Sequence, residues 1–372
     1  MVLERVKSPP PNRRRIAIKS KGPWVDPSPM AVFNRQFLLA LLLPFVVLIS
    51  ACGADETAAP GSMAFVDPVP LPTEVLEEPP VIGLSVQNLS RTFFQGLEGG
   101  ARGEAQSTGA TLLVADAGDD AAQQLIDVQE LIDQGVHGLI VSPVDSGAAV
   151  AIAELAAQHG VPLVAVANQI GTVDDYGPQF VFPGTVALVT NDDLDMGRKA
   201  ATFAAQTVGD DQVTIAILEG KLGTANAVMR ANGFTSELDA LGVAYEIVGQ
   251  AAGDWTEDGG ARVCREFVTL ETVEIIFSMS DAMTAGCVEV LQMAGSDGID
   301  VVSIGGNAAG IELLETGAIS GTVCQKPGTM GALAVSTMVD ALATLDFEQG
   351  LRFYETPVVT PENQMATCIP QW

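Results

Sequence analysis

The sequence predicts an α/β fold made of two doubly wound, parallel-sheet units. Three observations carry this. Short apolar runs alternate with amphipathic helical stretches from residue 81 to residue 345. The runs are nearly continuous in Val, Ile, Leu and Ala, as expected of strands covered on both faces. The alternation halts once, in a Gly-, Pro- and Asp-rich stretch at 168–190, then restarts, leaving two blocks of ordinary domain size.

Taken in order, strand-like runs fall at 81–87, 111–116, 138–142 and 162–167, separated by helical patterns at 92–107, 120–134 and 146–158. In the second helix Leu125, Val128 and Ile132 repeat at helical spacing. After a short VALVTND strand come helix 193–207, strand 213–218, helix 225–241, strand 244–250 and helix 257–270. Strand 274–279, helix 281–294, strand 300–305, a short helix at 308–316, strand 321–325 and helix 328–345 complete the series. The long loop 171–183, with Tyr176, Phe180 and Phe182, is placed to flank a cleft.

The amino-terminal region is read as a targeting segment. Arg35 precedes FLLALLLPFVVLIS, a run too short for a stable span. It ends in Ile49-Ser50-Ala51-Cys52-Gly53, a bacterial lipobox pattern in which Cys52 is the lipidated residue and Met30 the working start. A diacylated, N-acylated Cys52 would anchor the protein to a membrane. Residues 53–80, with Pro60, Pro68, Pro70, Pro72, Pro79 and Pro80, read as an extended tether.

The formal net charge is −28, and eight of the 18 basic residues precede Cys52. The chain beyond Cys52 is more acidic still, which argues against nucleic-acid binding, since phosphate recognition needs clustered Lys and Arg. Export makes disulfides permissible for Cys264, Cys287, Cys324 and Cys368, in any of three pairings. The two histidines, His137 and His159, sit at element ends as structural residues, which leaves triad hydrolysis without support. Gly305-Gly306-Asn307-Ala308-Ala309-Gly310 lacks the dinucleotide order, and no cofactor is implied. Asn191, Asp193 and Asp195 alternate like a calcium loop but lack its turn glycine and closing Glu; helix capping accounts for them, and no metal site is expected. The Asp pairs at 119–120, 174–175 and 210–211 read as solvated loop acids.

The functional signal is VIGLSVQNLSRTFF (81–94). Gln87, Asn88, Ser90 and Arg91 crowd the carboxyl end of the first strand, where open α/β sheets bind ligands, and Phe93 and Phe94 follow. Two consecutive helical residues point about 100° apart, so both cannot face the core equally. Aromatic faces beside polar groups suit a small hydroxylated ligand.

Matching elements recur in order: LIVSPVDS (139–146), Asp192-Asp193 with Gly197, Gly220, Arg230 with Gly233-Phe234, Gly253-Asp254-Trp255, Ser280-Asp281-Ala282-Met283, VVSIGGN (301–307), and Gln325-Lys326-Pro327 with Met330-Gly331. Together they resemble the type I periplasmic binding proteins related to ribose-binding protein. The resemblance implies two Rossmann-like lobes, 81–190 plus 326–356 and 191–325 plus 357–372, joined by a three-strand hinge. It implies ligand contacts at Gln87, Arg91, Phe93, Phe94, Ser142, Ala167, Asn168, Arg230, Trp255, Ser280, Asp281, Gly306, Asn307 and Gln325, an ABC permease as partner, and no enzymatic activity. Ala167-Asn168 stands where pentose binders carry Asp-Arg, Asn307 replaces an Asp, Gly306 replaces an aromatic, and Arg91 replaces an Asn. With the acidic clamp gone, Arg91 and Arg230 are expected to be uncompensated. That favours a sugar acid or substituted sugar over plain ribose.

The sequence therefore reads as an exported, lipid-anchored solute-binding protein of an importer. A lipoprotein presenting its ligand to a receptor kinase or chemoreceptor is the alternative. Regulators of the lac-repressor type share the two-lobe fold but place a basic helix-turn-helix where this chain has its acidic tether.

Overall fold

The computed structural model describes residues 78–207, 212–270, 272–296, 298–344, 348–363 and 368–372. Cys52, the targeting segment and the tether up to residue 77 lie outside the described residues. Among the described residues no helix is long and apolar enough to cross a membrane.

The first lobe holds β1 (Val81–Val86), α1 (Thr92–Thr108), β2 (Thr111–Asp116), α2 (Ala121–Asp133), β3 (Gly138–Val141), α3 (Ala149–Gln158), β4 (Leu163–Val166), the one-turn α4 (Val173–Tyr176) and β5 (Ala187–Val189). The second runs α5 (Asp193–Thr207), β6 (Val213–Glu219), α6 (Ala225–Leu241), β7 (Tyr245–Ala252), α7 (Glu257–Phe267), β8 (Ile275–Ser278), α8 (Asp281–Ala294), β9 (Asp300–Gly305), α9 (Ala308–Glu315) and β10 (Gly321–Cys324). The chain then returns through α10 (Pro327–Thr344) and β11 (Gly350–Arg352) to the first lobe, and ends with β12 (Val358–Val359) on the second.

Each lobe is built on a six-stranded sheet, ordered β11-β5-β4-β3-β1-β2 and β12-β10-β9-β8-β6-β7. All pairings are parallel except β10 with β12. The central strands β1, β3, β4 and β8 are short and almost wholly buried, as helices on both faces require, while β2 and β7 at the sheet edges are half-exposed. Helices pack closely in pairs because glycines stand at the crossings. A Cβ on Gly197 would lie 2.3 Å from the Arg230 carbonyl on α6, and one on Gly331 2.0 Å from the Leu97 carbonyl on α1.

The chain crosses between lobes three times, at 190–192, 325–326 and 353–357, without regular structure. One side chain touches all three. The buried Tyr354 hydroxyl donates to Asn191 Oδ1 and accepts from the Lys326 N–H at 3.2 Å. Burial pushes its pKa well up, so the phenol stays protonated.

Two disulfides resolve the three possible pairings. Cys264–Cys287 joins α7 to α8, and Cys324–Cys368 joins the end of β10 to the tail. The 171–183 loop does not line the cleft. Tyr176 stacks on Phe180 with centroids 4.8 Å apart and meets Phe182 edge-on, and the group packs onto the first lobe's core. His137 is structural, its Nδ1 accepting from the Val81 N–H at 2.9 Å.

Candidate ligand-binding cleft

A cavity of about 430 Å³ opens between the lobes at the carboxyl ends of both sheets, within the usual range for small-molecule sites. From the first lobe, β1 leads into Gln87, Arg91, Phe93 and Phe94, β2 into Asp119, and β4 into Ala167 and Asn168. From the second come Arg230 and Asn226 on α6, Trp255 after β7, Ser280 before α8 and Asn307 before α9. Asn191 and Gln325 reach the cavity from two of the crossovers.

The backbone marks the same place independently. Among the described residues five non-glycines have positive φ, and three of them, Asp119 (67°), Ala167 (66°) and Trp255 (62°), line this cavity. Such conformations cost about 1–3 kcal/mol each and gather at functional sites.

Each expected site residue has a definite place. Phe94 is buried in the first lobe's core and reaches the cavity, whereas Phe93 is half-buried and stands edge-on to it at 5.2 Å. Gln87 Nε2 donates to the Pro143 carbonyl (2.7 Å), as does Asn168 Nδ2 (3.2 Å), so the backbone after β3 orients both amides. The Asn168 Oδ1 is buried without a partner. Asn307 caps α9 by accepting from the Gly310 N–H at 2.7 Å, and Ser280 stands at the start of α8. Trp255 packs closely against Gly220, where a Cβ would come within 1.9 Å of the indole.

Three expected contacts are not in the cavity wall. Ser142 is fully buried one layer back, its carbonyl accepting from Gln124 Nε2 at 2.8 Å. Asp281 is also fully buried, as the hub of the second lobe. It accepts from the Ser303 and Thr322 hydroxyls (2.5 and 2.9 Å) and from the Gly306 and Asn307 N–H groups. Burial holds its carboxyl above the ordinary range, with these four donors opposing. Gly306 likewise faces away from the cavity, packed against the Cys324–Cys368 bridge.

The expectation of two uncompensated arginines does not hold. Arg91 pairs with Asp119 at 2.6 Å, and Arg230 Nε with Asp193 at 2.8 Å. Arg230 also donates to the Met279 carbonyl (2.6 Å) and lies 5.3 Å from the Trp255 ring centroid. Burial lowers the Arg91 pKa, opposed by Asp119 and Asp254, yet a guanidinium stays charged near neutrality. Burial raises Asp193 while Arg230 pulls it down; a charge-assisted bond at 2.8 Å holds the ionised form. Asp119, read from sequence as a solvated acid, is thus the counter-ion in the cleft, while Asp120 caps α2. Trp372, edge-on to Phe93 at 5.3 Å, is a further wall that the sequence pattern did not reveal.

The profile of the periplasmic binding protein domain matches residues 82–345, from β1 to the end of α10. The chain belongs to the periplasmic binding protein family. Among relatives, the ribose import binding protein of Bacillus subtilis is 32% identical over 263 residues, covering 70% of this chain and 81% of that protein. The xylitol-binding protein of Mycolicibacterium smegmatis is 26% identical over 317 residues, 85% of this chain and 82% of the other. A solute-binding protein of an ABC transporter from Bacillus halodurans C-125, with bound myo-inositol, superimposes with a TM-score of 0.70 at 25% identity, covering 77% of this chain and 96% of that one. In this periplasmic binding protein both cleft arginines, Arg91 and Arg230, are held in charge pairs.

Proposed function

We propose that this chain is the extracytoplasmic solute-binding component of an ABC importer, taking a neutral cyclic sugar or polyol between its lobes. The observation that carries the reading is the pairing of both cleft arginines with carboxylates. A compensated cleft gives no advantage to an anionic ligand, so the neutral class replaces the sugar acid expected from sequence. Phe93, Phe94 and Trp255 offer faces to C–H surfaces, and Gln87, Asn168, Asn226, Asn307 and Gln325 offer amides to hydroxyls. Relatives named for ribose and xylitol support the same class.

Ligand contacts to both lobes favour the closed state by differential affinity. Cys52 would tether the protein to the membrane beside its permease.

Calorimetry against D-ribose, D-allose, xylitol, myo-inositol and D-glucuronate tests the ligand class. Binding of a neutral member with a reduced radius of gyration in solution scattering is the expected result. Tighter binding of glucuronate than of every neutral compound overturns it. Loss of uptake on deleting the gene separates transport from receptor signalling, and Cys52→Ser should release the protein from membranes.

A further inference from the structure

The strap at 368–372 is tied to both lobes. Its root belongs to the second: Cys368 is bonded to Cys324, the residue that ends β10 and precedes the cleft residue Gln325. The bridge sits against Gly306, where a Cβ would lie 2.8 Å from Cys368 Sγ. Further along, the strap docks on the first lobe. Gln371 Oε1 accepts from the Thr329 N–H and its Nε2 donates to Thr329 Oγ1, both at 3.1 Å on α10. Gly96 on α1 allows this approach, since a Cβ there would be 3.0 Å from the Gln371 carbonyl oxygen.

Trp372 then touches both lobes at once. Its carbonyl accepts from the Ala308 N–H of α9 at 3.1 Å, and its ring meets Phe93 edge-on with centroids 5.3 Å apart and planes at 88°. The ring lines the cavity, and its Nε1–H is buried with no acceptor. A buried donor left unmade is costly, and a ligand oxygen in the cavity would supply what is missing.

We propose that Trp372 is a ligand-contacting wall of the cleft, packing on the C–H face of a ring and donating Nε1–H to a ligand oxygen, and that the Cys324–Cys368 bridge is what holds it there. This rests on the neutral-sugar reading for its ligand class but not for the positioning of the indole. The strap reaches this spot between the start of α1, at Phe93, and the start of α9, at Ala308. The other bridge, Cys264–Cys287, lies between α7 and α8 and has no part in it.

Two arms test the proposal on the full chain. In a Trp24→Phe/Trp255→Phe background Trp372 is the sole indole of the three in the sequence, and acrylamide quenching of its fluorescence reports its shielding without any ligand. Cys324→Ser/Cys368→Ser should raise the quenching constant at least about twofold, while Cys264→Ser/Cys287→Ser leaves it unchanged. Equal quenching in the first double variant and its parent overturns the role of the bridge. In the second arm, calorimetry with D-ribose, D-allose, xylitol and myo-inositol compares wild type with Trp372→Ala and Trp372→Phe. Alanine should weaken whichever compound binds wild type by at least about tenfold, and phenylalanine, which keeps the ring but not the donor, by less. Unchanged affinity in Trp372→Ala overturns the contact. If none of the four binds wild type, the neutral-sugar reading and the ligand contact argued from it fall together, and the quenching arm alone decides the strap.

Discussion

The two lobes share one strand order but secure their cleft-facing edges by different chemistry. In the first, a neutral amide does the joining. Gln124 donates to the Ser142 carbonyl and Ser85 Oγ and accepts from the Val144 N–H at 2.9 Å, tying α2 to the ends of β1 and β3. In the second, the buried carboxylate of Asp281 ties α8 to β9 and β10, a buried ion pair ties α5 to α6, and two disulfides lie in or against the same lobe. The cores differ as well. The first lobe's is split into clusters on either side of its sheet, while the second's forms one cluster that includes the Phe234–Phe277 stack at 4.1 Å. An amide keeps its hydrogen bonds at any pH. A carboxylate and a disulfide answer to pH and oxidation, so the environment should act on the second lobe first.

The largest break in this contrast is expected from Asp193→Ala. It strands Arg230 in the interior, and removing one partner of a buried pair costs about 3–5 kcal/mol. Urea unfolding followed by hydrogen exchange should show the second lobe weakened and the first unchanged. Next comes Cys264→Ser/Cys287→Ser, which releases a link across 23 residues and should cost about 3 kcal/mol in the same lobe. If either variant weakens both lobes alike, the lobes do not hold separate stabilities and the contrast fails.

The pH prediction is smaller and has a definite sign. A carboxyl raised on folding binds its proton more tightly in the native state, so its contribution is fullest below the unfolded value of about 3.9 and declines as pH rises through the folded pKa. The stability of wild type relative to Asp281→Asn should therefore fall as pH rises above about 4. A flat difference in melting temperature between pH 4 and pH 7 would show that the hub does not titrate there. The smallest stability effect is expected from Arg91→Ala, about 1 kcal/mol or less, because the Arg91–Asp119 pair is partly solvated. Its ligand affinity should nonetheless drop at least about tenfold, measured by calorimetry with the neutral panel.

Much of the frame was legible because local signals agreed with tertiary packing. Helices 193–207, 225–241 and 281–294 and strands 111–116 and 300–305 have the bounds read from sequence. Gly242 and Gly295, left-handed at the ends of α6 and α8, made two of those ends plain. β11 and β12 were not legible, since three and two residues carry no pattern and exist only by pairing with β5 and β10. The cleft was legible where its residues follow strands, as at Gln87 and Trp255. It was not where a partner is distant in sequence. Arg91 finds Asp119 across 28 residues, and the one hint was that Gly118-Asp119 follows the strand beside β1. Ser142, Asp281 and Gly306 were misplaced for the opposite reason: Ser142 lies behind Gln87, Asp281 follows Ser280 and Gly306 precedes Asn307, but none of the three lines the cavity itself.

The single phenol shared by the three crossovers has a mechanical consequence. Three segments running side by side between two bodies could each twist independently, giving a loose joint with several soft directions. Tyr354 fastens them laterally at one point, Asn191 on one side and Lys326 on the other. Torque on any one segment would thereby pass to the other two, and any turning of the lobes would share a common bearing. Asn191 and Gln325, the residue before Lys326, border the cavity, so a solute pressing on them loads that bearing directly.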